Sequence, residues 1–154
     1  MNKKLICYFS ATGTTKQSAI SLANIIKGDL FEIEPVELYT DEDLNWNDKN
    51  SRTTLESKDD AFRPSVKNKV NNISEYKEIY IGFPVWWYKE PNIIDTFIDE
   101  NNLEEKNIHI FITSGGSSVF SSLEHLKKLY PNLNFVDAKE LNTVNESDLT
   151  EWKD

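Results

Sequence analysis

Ser10, Thr12, Thr14 and Thr15 bring four hydroxyls together within six residues, with Gly13 among them. Residues of this kind hold a phosphate through hydroxyl and backbone N–H donors, and a glycine lets the ligand touch the main chain. Lys16 is the nearby cation, and no arginine lies inside the run. Two other clusters offer different chemistry. Phe83-Pro84-Val85-Trp86-Trp87-Tyr88 is a wall of rings, and bulky neighbours of this kind cannot all enter one core, so at least one tryptophan is expected to face a ligand. Thr113-Ser114-Gly115-Gly116-Ser117-Ser118 has no bulk, so a planar ligand could lie against its backbone with N–H groups aimed at ring carbonyls. Together the three describe a site for a flat ring that carries a phosphate. Taken singly, the first is equally a serine/threonine turn that caps a helix, and the third could be a plain connector.

Several other chemistries are absent. There is no G-x-G-x-x-G fingerprint and no Walker loop, since Gly13 stands alone before Lys16. A cysteine phosphatase would need an arginine six residues after its nucleophile, and Gly13 stands there relative to Cys7. A receiver domain would carry an aspartate where Phe83-Pro84 stands, and no G-x-S-x-G elbow occurs. His109 alternates inside a strand pattern and His125 lies on a helix. Neither has metal-ligand spacing, so both read as structural or solvated and no catalytic or metal-binding residue is assigned.

The elements that must position these clusters follow from periodicity. Leu5–Phe9 reads as a buried strand, and a helix runs from Thr15 to Ile26 with Ala19, Ile20, Ala23 and Ile26 on one face. Gly28 reads as its C-terminal cap. Leu30–Glu34 alternates apolar and acidic, as an edge strand does, and Pro35 closes it. Residues 36–64 are polar and acidic, a length that usually serves function. Residues 65–73 predict a short helix before a strand at 79–83. Pro91 sits at the first position of a helix with Ile93, Ile94, Phe97 and Ile98 buried. A strand at 108–113 leads to a helix capped by Ser117 or Ser118, with Phe120, Leu123, Leu126 and Leu129 inward. Phe135-Val136 seeds a last short strand, and 145–152 a brief helix. Strand and helix alternate five times, which requires an α/β, three-layer, doubly wound parallel sheet. In such sheets ligands bind at the carboxyl ends of strands, where all three clusters fall.

The 154 residues fit one domain, 1–154, and the net charge of −9 argues against nucleic acid. No apolar stretch is long enough for a membrane span, and the run after Lys4 is too short for a secretory leader, so a cytoplasmic protein is expected. Cys7, the lone cysteine, reads as a packed and inert thiol.

With these residues on view, the chain resembles the flavodoxin family. Ser10–Thr15 is similar to that family's phosphate loop. Pro84-Val85-Trp86-Trp87 and Thr113–Ser117 are similar to segments of a bacterial flavodoxin-like branch. Asp43-Leu44-Asn45-Trp46, Ser51-Arg52, Glu56 and Arg63-Pro64 match within the otherwise irregular 36–64 stretch. The resemblance implies a five-stranded sheet in the order 2-1-3-4-5 and non-covalent flavin mononucleotide (FMN). It places the phosphate at Ser10, Thr12, Gly13, Thr14 and Thr15. The isoalloxazine ring lies between Pro84, Val85, Trp86, Trp87 and Tyr88 on one side and Ser114, Gly115 and Gly116 on the other. It also implies a longer final helix than 145–152 offers. Long-studied members carry a glycine beside the ring, and this chain has none there; a bulky residue makes a positive φ costlier by roughly 1 kcal/mol. The implied function is FMN-dependent electron transfer with a basic redox partner protein, the chain being a monomer or weak dimer. The alternative is an NAD(P)H-dependent quinone or nitro-compound oxidoreductase of the same fold, acting on a small quinone. A cofactor-free binding module is the reading from another class.

Overall fold

The computed structural model describes residues 3–114 and 119–153. Apolar and β-branched runs form five strands, β1 (Lys4–Tyr8), β2 (Asp29–Glu32), β3 (Glu78–Pro84), β4 (Asn107–Thr113) and β5 (Asn134–Glu140). They pair in parallel in the order β2-β1-β3-β4-β5, as expected. Among the described residues the α-helices are α1 (Thr14–Ile26), α2 (Arg52–Ser57), α3 (Asn92–Glu100) and α4 (Val119–Leu129).

Side-chain alternation along the central strands feeds two cores. On one face Ile6, Tyr8, Tyr80 and Phe111 meet Leu22 and Ile26 of α1 and Leu149 and Trp152 of a terminal 3₁₀ turn. On the other, Cys7, Ile79, Ile81, Ile110 and Ile112 meet Ile94 and Phe97 of α3 and Leu126 of α4. Burial pushes the Cys7 thiol well up, which keeps it protonated and unreactive.

Several local expectations are corrected. The left-handed cap of α1 is Lys27 (φ 60°), whereas Gly28 is needed for room: a Cβ there would meet Ile6 Cδ1 at 2.2 Å. Residues 65–73 form no helix. Val66 instead bridges antiparallel to Pro35, and only Ile73–Glu75 turns into a 3₁₀ helix. Pro91 precedes α3 as its N-cap, because its extended ψ of 146° lies outside the helix. Phe120 is 65% exposed rather than inward, since α4 turns Ser122, Leu123 and Leu126 toward the sheet. Ile20 is only partly buried and Leu22 takes the central place on α1. The last strand runs seven residues, with a register shift opposite Ile108/His109.

Toward the amino ends of the strands, His109 bridges two carboxylates. Its Nδ1 lies 2.8 Å from Asp137 and its Nε2 2.9 Å from Glu78. Strand register puts Tyr80, His109 and Asp137 side by side. The imidazole stacks on Tyr80 at 4.5 Å, and Trp152 stands edge-on to both while donating its indole N–H to Asp137. Burial pulls the imidazole's affinity for a proton down, but its bonds to Asp137 and Glu78 prevail, and its pKa is raised. His109 is therefore a structural residue.

Candidate functional site

Beyond the carboxyl end of β1 the chain turns through Ser10–Gly13 into α1. The Ser10 hydroxyl accepts the Gly13 N–H at 3.0 Å, and Gly13 adopts φ 99°, which glycine alone takes without cost. A Cβ on Gly13 would meet none of the described residues within 4 Å, so its surface is open among them. The first N–H groups of a helix have no partner inside it, and no acidic side chain occupies the first turn of α1. Thr12 and Thr14 are exposed beside this positive end. Thr15 differs. It is 1% exposed and its hydroxyl lies 2.8 Å from that of Thr113, so its side chain ties the loop to β4.

Thr113 joins the second cluster as well, because its carbonyl accepts the Val85 N–H at 3.0 Å. One residue at the end of β4 thus touches both the hydroxyl loop and the aromatic segment. Pro84 ends β3 opposite Thr113, and Val85 is partly buried. Trp86 and Lys89 then exchange backbone bonds of 3.1 and 3.2 Å around a two-residue turn. Trp87 (φ 55°) and Tyr88 (φ 66°) both take left-handed backbone there, so the positive φ expected to be costly without glycine is adopted twice.

The three rings part company. Trp86 is a wedge, edge-on to Phe9 at 5.6 Å and to Tyr39 at 5.4 Å, while Trp87 and Tyr88 stay exposed. In the third cluster the Ser114 main chain is paired with another residue of the protein. The side-chain amide of Asn142 holds both the N–H and the carbonyl of Ser114 at 2.8 Å. Gly115 and Gly116, like Ser117 and Ser118, lie outside the described residues.

The irregular 36–64 stretch is a brace. Ser51 caps α2, and Arg52 lies over the Tyr39 ring at 3.8 Å while its Nε reaches Glu56 at 2.8 Å. Tyr39 donates to Glu56 at 2.6 Å, and burial together with that carboxylate pushes its phenol well above the usual range, against a smaller opposing pull from Arg52. Tyr39 in turn backs Trp86. The Arg52–Glu56 pair is an i, i+4 contact on α2, and neither it nor the contact of Arg52 with Tyr39 is drawn from the sequence, which offers these residues only as part of the resemblance.

Below the aromatic turn lies a second cluster that periodicity did not show. Glu90, 1% exposed, accepts from His125 Nδ1 at 2.8 Å, and His125 Nε2 lies 3.2 Å from Asp60, which also pairs with Lys89. The bond to Glu90 leads in raising the His125 pKa, against partial burial. Asp95 faces Glu90 and receives the Tyr130 hydroxyl at 3.0 Å; burial, then the Glu90 charge, push its carboxyl up to about 9.

Against this geometry, the chain belongs to the flavodoxin family, matched over residues 3–154. It is similar to a provisionally assigned flavoprotein of Bacteroides eggerthii DSM 20697 at 44% identity and a TM-score of 0.96, covering 99% of this chain and 96% of that one. A second such protein, from Bacteroides uniformis ATCC 8492, is 40% identical with a TM-score of 0.93, covering 98% and 97%. A Lactobacillus acidophilus NCFM flavoprotein solved in complex with FMN shares the fold at 24% identity and a TM-score of 0.79 over 100% of both chains. No curated protein matches the chain. FMN is the cofactor of the family. The open, left-handed Gly13 at the start of α1 fits its phosphate, and the absence of an acidic residue from that turn fits its charge. Among the described residues, no helix is long and apolar enough to cross a membrane.

Proposed function

We propose that the protein is a cytoplasmic, FMN-dependent electron carrier. The observation that carries this reading is Thr113, which ties the hydroxyl loop through Thr15 and the aromatic segment through Val85 to one strand end. Ser10, Thr12, Gly13, Thr14 and the helix N–H groups would hold the phosphate. Pro84–Tyr88 would flank the ring on one side, with Ser114–Gly116 opposite. The flavin, when bound, supplies the electron-accepting chemistry, and the chain contributes grip, orientation and field. A net charge of −9 opposes added negative charge at the ring and steers a basic partner protein toward it.

Gly13→Val tests the phosphate assignment, because a branched side chain at φ 99° is strained and would crowd the open face of the loop. FMN affinity, read from quenching of flavin fluorescence, is expected to fall more than about tenfold while far-UV circular dichroism is kept. Unchanged affinity would remove the phosphate from this loop. A second reading, an NAD(P)H-dependent quinone or nitro-compound reductase, is favoured by one observation: an aromatic cleft of about 330 Å³ beside the turn. Steady oxidation of NAD(P)H by the FMN-loaded protein with a quinone, and no added reductase, would select it.

A further inference from the structure

The turn that carries Trp87 and Tyr88 is anchored by charge. Both residues take left-handed backbone without being glycine, and a turn strained twice over keeps its shape only while its surroundings over-determine it. The backbone exchange between Trp86 and Lys89 is one restraint. The others are side chains on the two residues that follow Tyr88. Lys89 pairs with Asp60, and Glu90 accepts from His125.

His125 joins these two restraints. Its Nδ1 lies 2.8 and 3.1 Å from the oxygens of Glu90, and its Nε2 lies 3.2 Å from Asp60. An ionised carboxylate only accepts hydrogen bonds, so an imidazole set between two of them satisfies both only with an N–H on each nitrogen, which is the imidazolium. The charges around it are unequal. Asp60 is half exposed and has Lys89 beside it. The Glu90 side chain is wholly buried, and behind it stands Asp95 of α3, whose carboxyl is pushed up to about 9 by burial and then by the Glu90 charge. Below that pH the Glu90–Asp95 pair holds one negative charge, and His125 is the cation bonded to it. Tyr130, just past α4, donates to Asp95, and Arg63 acts on Asp95 more weakly while its Nε bonds Asp99 at 2.6 Å. On α4 itself the charged neighbours are Glu124, one residue before, and Lys128, three after.

Removal of the ring proton has a definite outcome. Neutral imidazole keeps one N–H. A missing donor costs most at the buried acceptor, so Nδ1 keeps it for Glu90, and a lone pair on Nε2 faces Asp60. The Asp60 bond is lost, and the charge of the Glu90–Asp95 pair stays buried without its cation. Both consequences fall on Lys89 and Glu90, the anchor of the strained turn. We infer that His125 is a positioning residue, which in its doubly protonated form clamps the Trp87–Tyr88 turn and on losing a proton unlocks it. The bond to Glu90, foremost among its contacts, raises the affinity of the ring for a proton, which puts the release above about pH 6.5. The clamp itself depends only on this chain's own residues; its effect on FMN rests on the reading that Pro84–Tyr88 flank the ring.

Limited chymotrypsin cleavage after Trp87 and Tyr88, with the sites assigned by mass, reads the opening of the turn in the full chain, and comparing variants at one pH cancels the protease's own pH dependence. Below the midpoint at which the His125 ring C–H signal titrates by proton NMR, His125→Gln is expected to be cut about fivefold faster than wild type, and His125→Lys, a lasting cation, at the wild-type rate. Above that midpoint wild type should match His125→Gln while His125→Lys stays slow. The wild-type profile tests the clamp with no change at residue 125. Asp95→Asn should keep the step, although it removes the other group that titrates in alkali. Equal cutting of wild type and His125→Gln below the midpoint, a wild-type rate that ignores the midpoint, or a step that vanishes in Asp95→Asn would overturn the clamp. Cleavage that follows His125, with FMN affinity by fluorescence quenching constant across the same midpoint, would uphold the clamp and take the flavin ring away from this turn.

Discussion

His109 and His125 are built to the same recipe, an imidazole between two carboxylates, at opposite ends of the sheet. His109 sits toward the amino ends of the strands, and its partners Glu78 and Asp137 belong to neighbouring strands. His125 sits beyond the carboxyl ends, and its partners Asp60 and Glu90 belong to the brace and to the chain just after the aromatic turn. Where strands fix all three groups, the charge locks Trp152 onto the sheet. Where connecting segments supply the carboxylates, the charge positions the turn that carries Trp87 and Tyr88. The protein thus uses one kind of cluster for permanence at one end and for placement of its exposed rings at the other.

The sharpest way to break that contrast is His109→Ala. It leaves Glu78 and Asp137 facing each other without a cation and removes the ring against which Tyr80 and Trp152 pack. A loss of about 2–3 kcal/mol is expected in urea unfolding near neutral pH, with FMN affinity unchanged. The raised imidazole pKa gives a sign to the pH dependence. Its share of stability is complete below about pH 6.5 and is lost as pH rises through the higher folded value, so the gap between wild type and variant narrows in alkali. A gap that widens would contradict the assignment.

Asp95→Asn sharpens the other side. With its folded carboxyl near 9 and an unfolded value of about 3.9, Asp95 keeps a proton that the unfolded chain releases, so stability falls as pH rises across that window. The amide keeps an acceptor for Tyr130 and can donate to Glu90 without ionising. Its thermal unfolding should therefore be flatter between pH 6 and 9, ending about 1–2 kcal/mol more stable than wild type at the alkaline end. Smallest of all is Asp60→Asn. Asp60 is half exposed, so removing its pairs with Lys89 and His125 should cost about 0.5 kcal/mol or less, vanishing in high salt. A larger, salt-resistant loss would make the upper cluster as structural as the lower.

Much of this architecture can be read from residue order. β1, α1, β3 and β4 announce themselves because apolar spacing is local, and the Ser10–Thr15 loop because its chemistry is contiguous. The failures have a common physical origin. Gly28 reads as a cap until Ile6, distant in sequence, is seen against its Cα. Residues 65–73 read as helical until Val66 finds Pro35. Phe120 reads as inward because periodicity fixes spacing along α4 but not the angle at which the helix meets the sheet. The same holds at the site. The Trp86–Tyr88 run signals that its rings must separate, but Tyr39, Phe9 and Arg52 decide which one packs inward and is partly buried. Asn142 was invisible as the clamp on Ser114, for nothing in its immediate neighbours marks a partner 28 residues away.

Lys4, in the first strand, donates to the Trp152 carbonyl at 2.9 Å. That bond joins residues 148 apart in sequence, so in a chain made from its amino end β1 exists long before the ammonium acquires this acceptor. The contact between β1 and the terminal turn therefore forms only after β5 has been made, a late closure of high sequence separation.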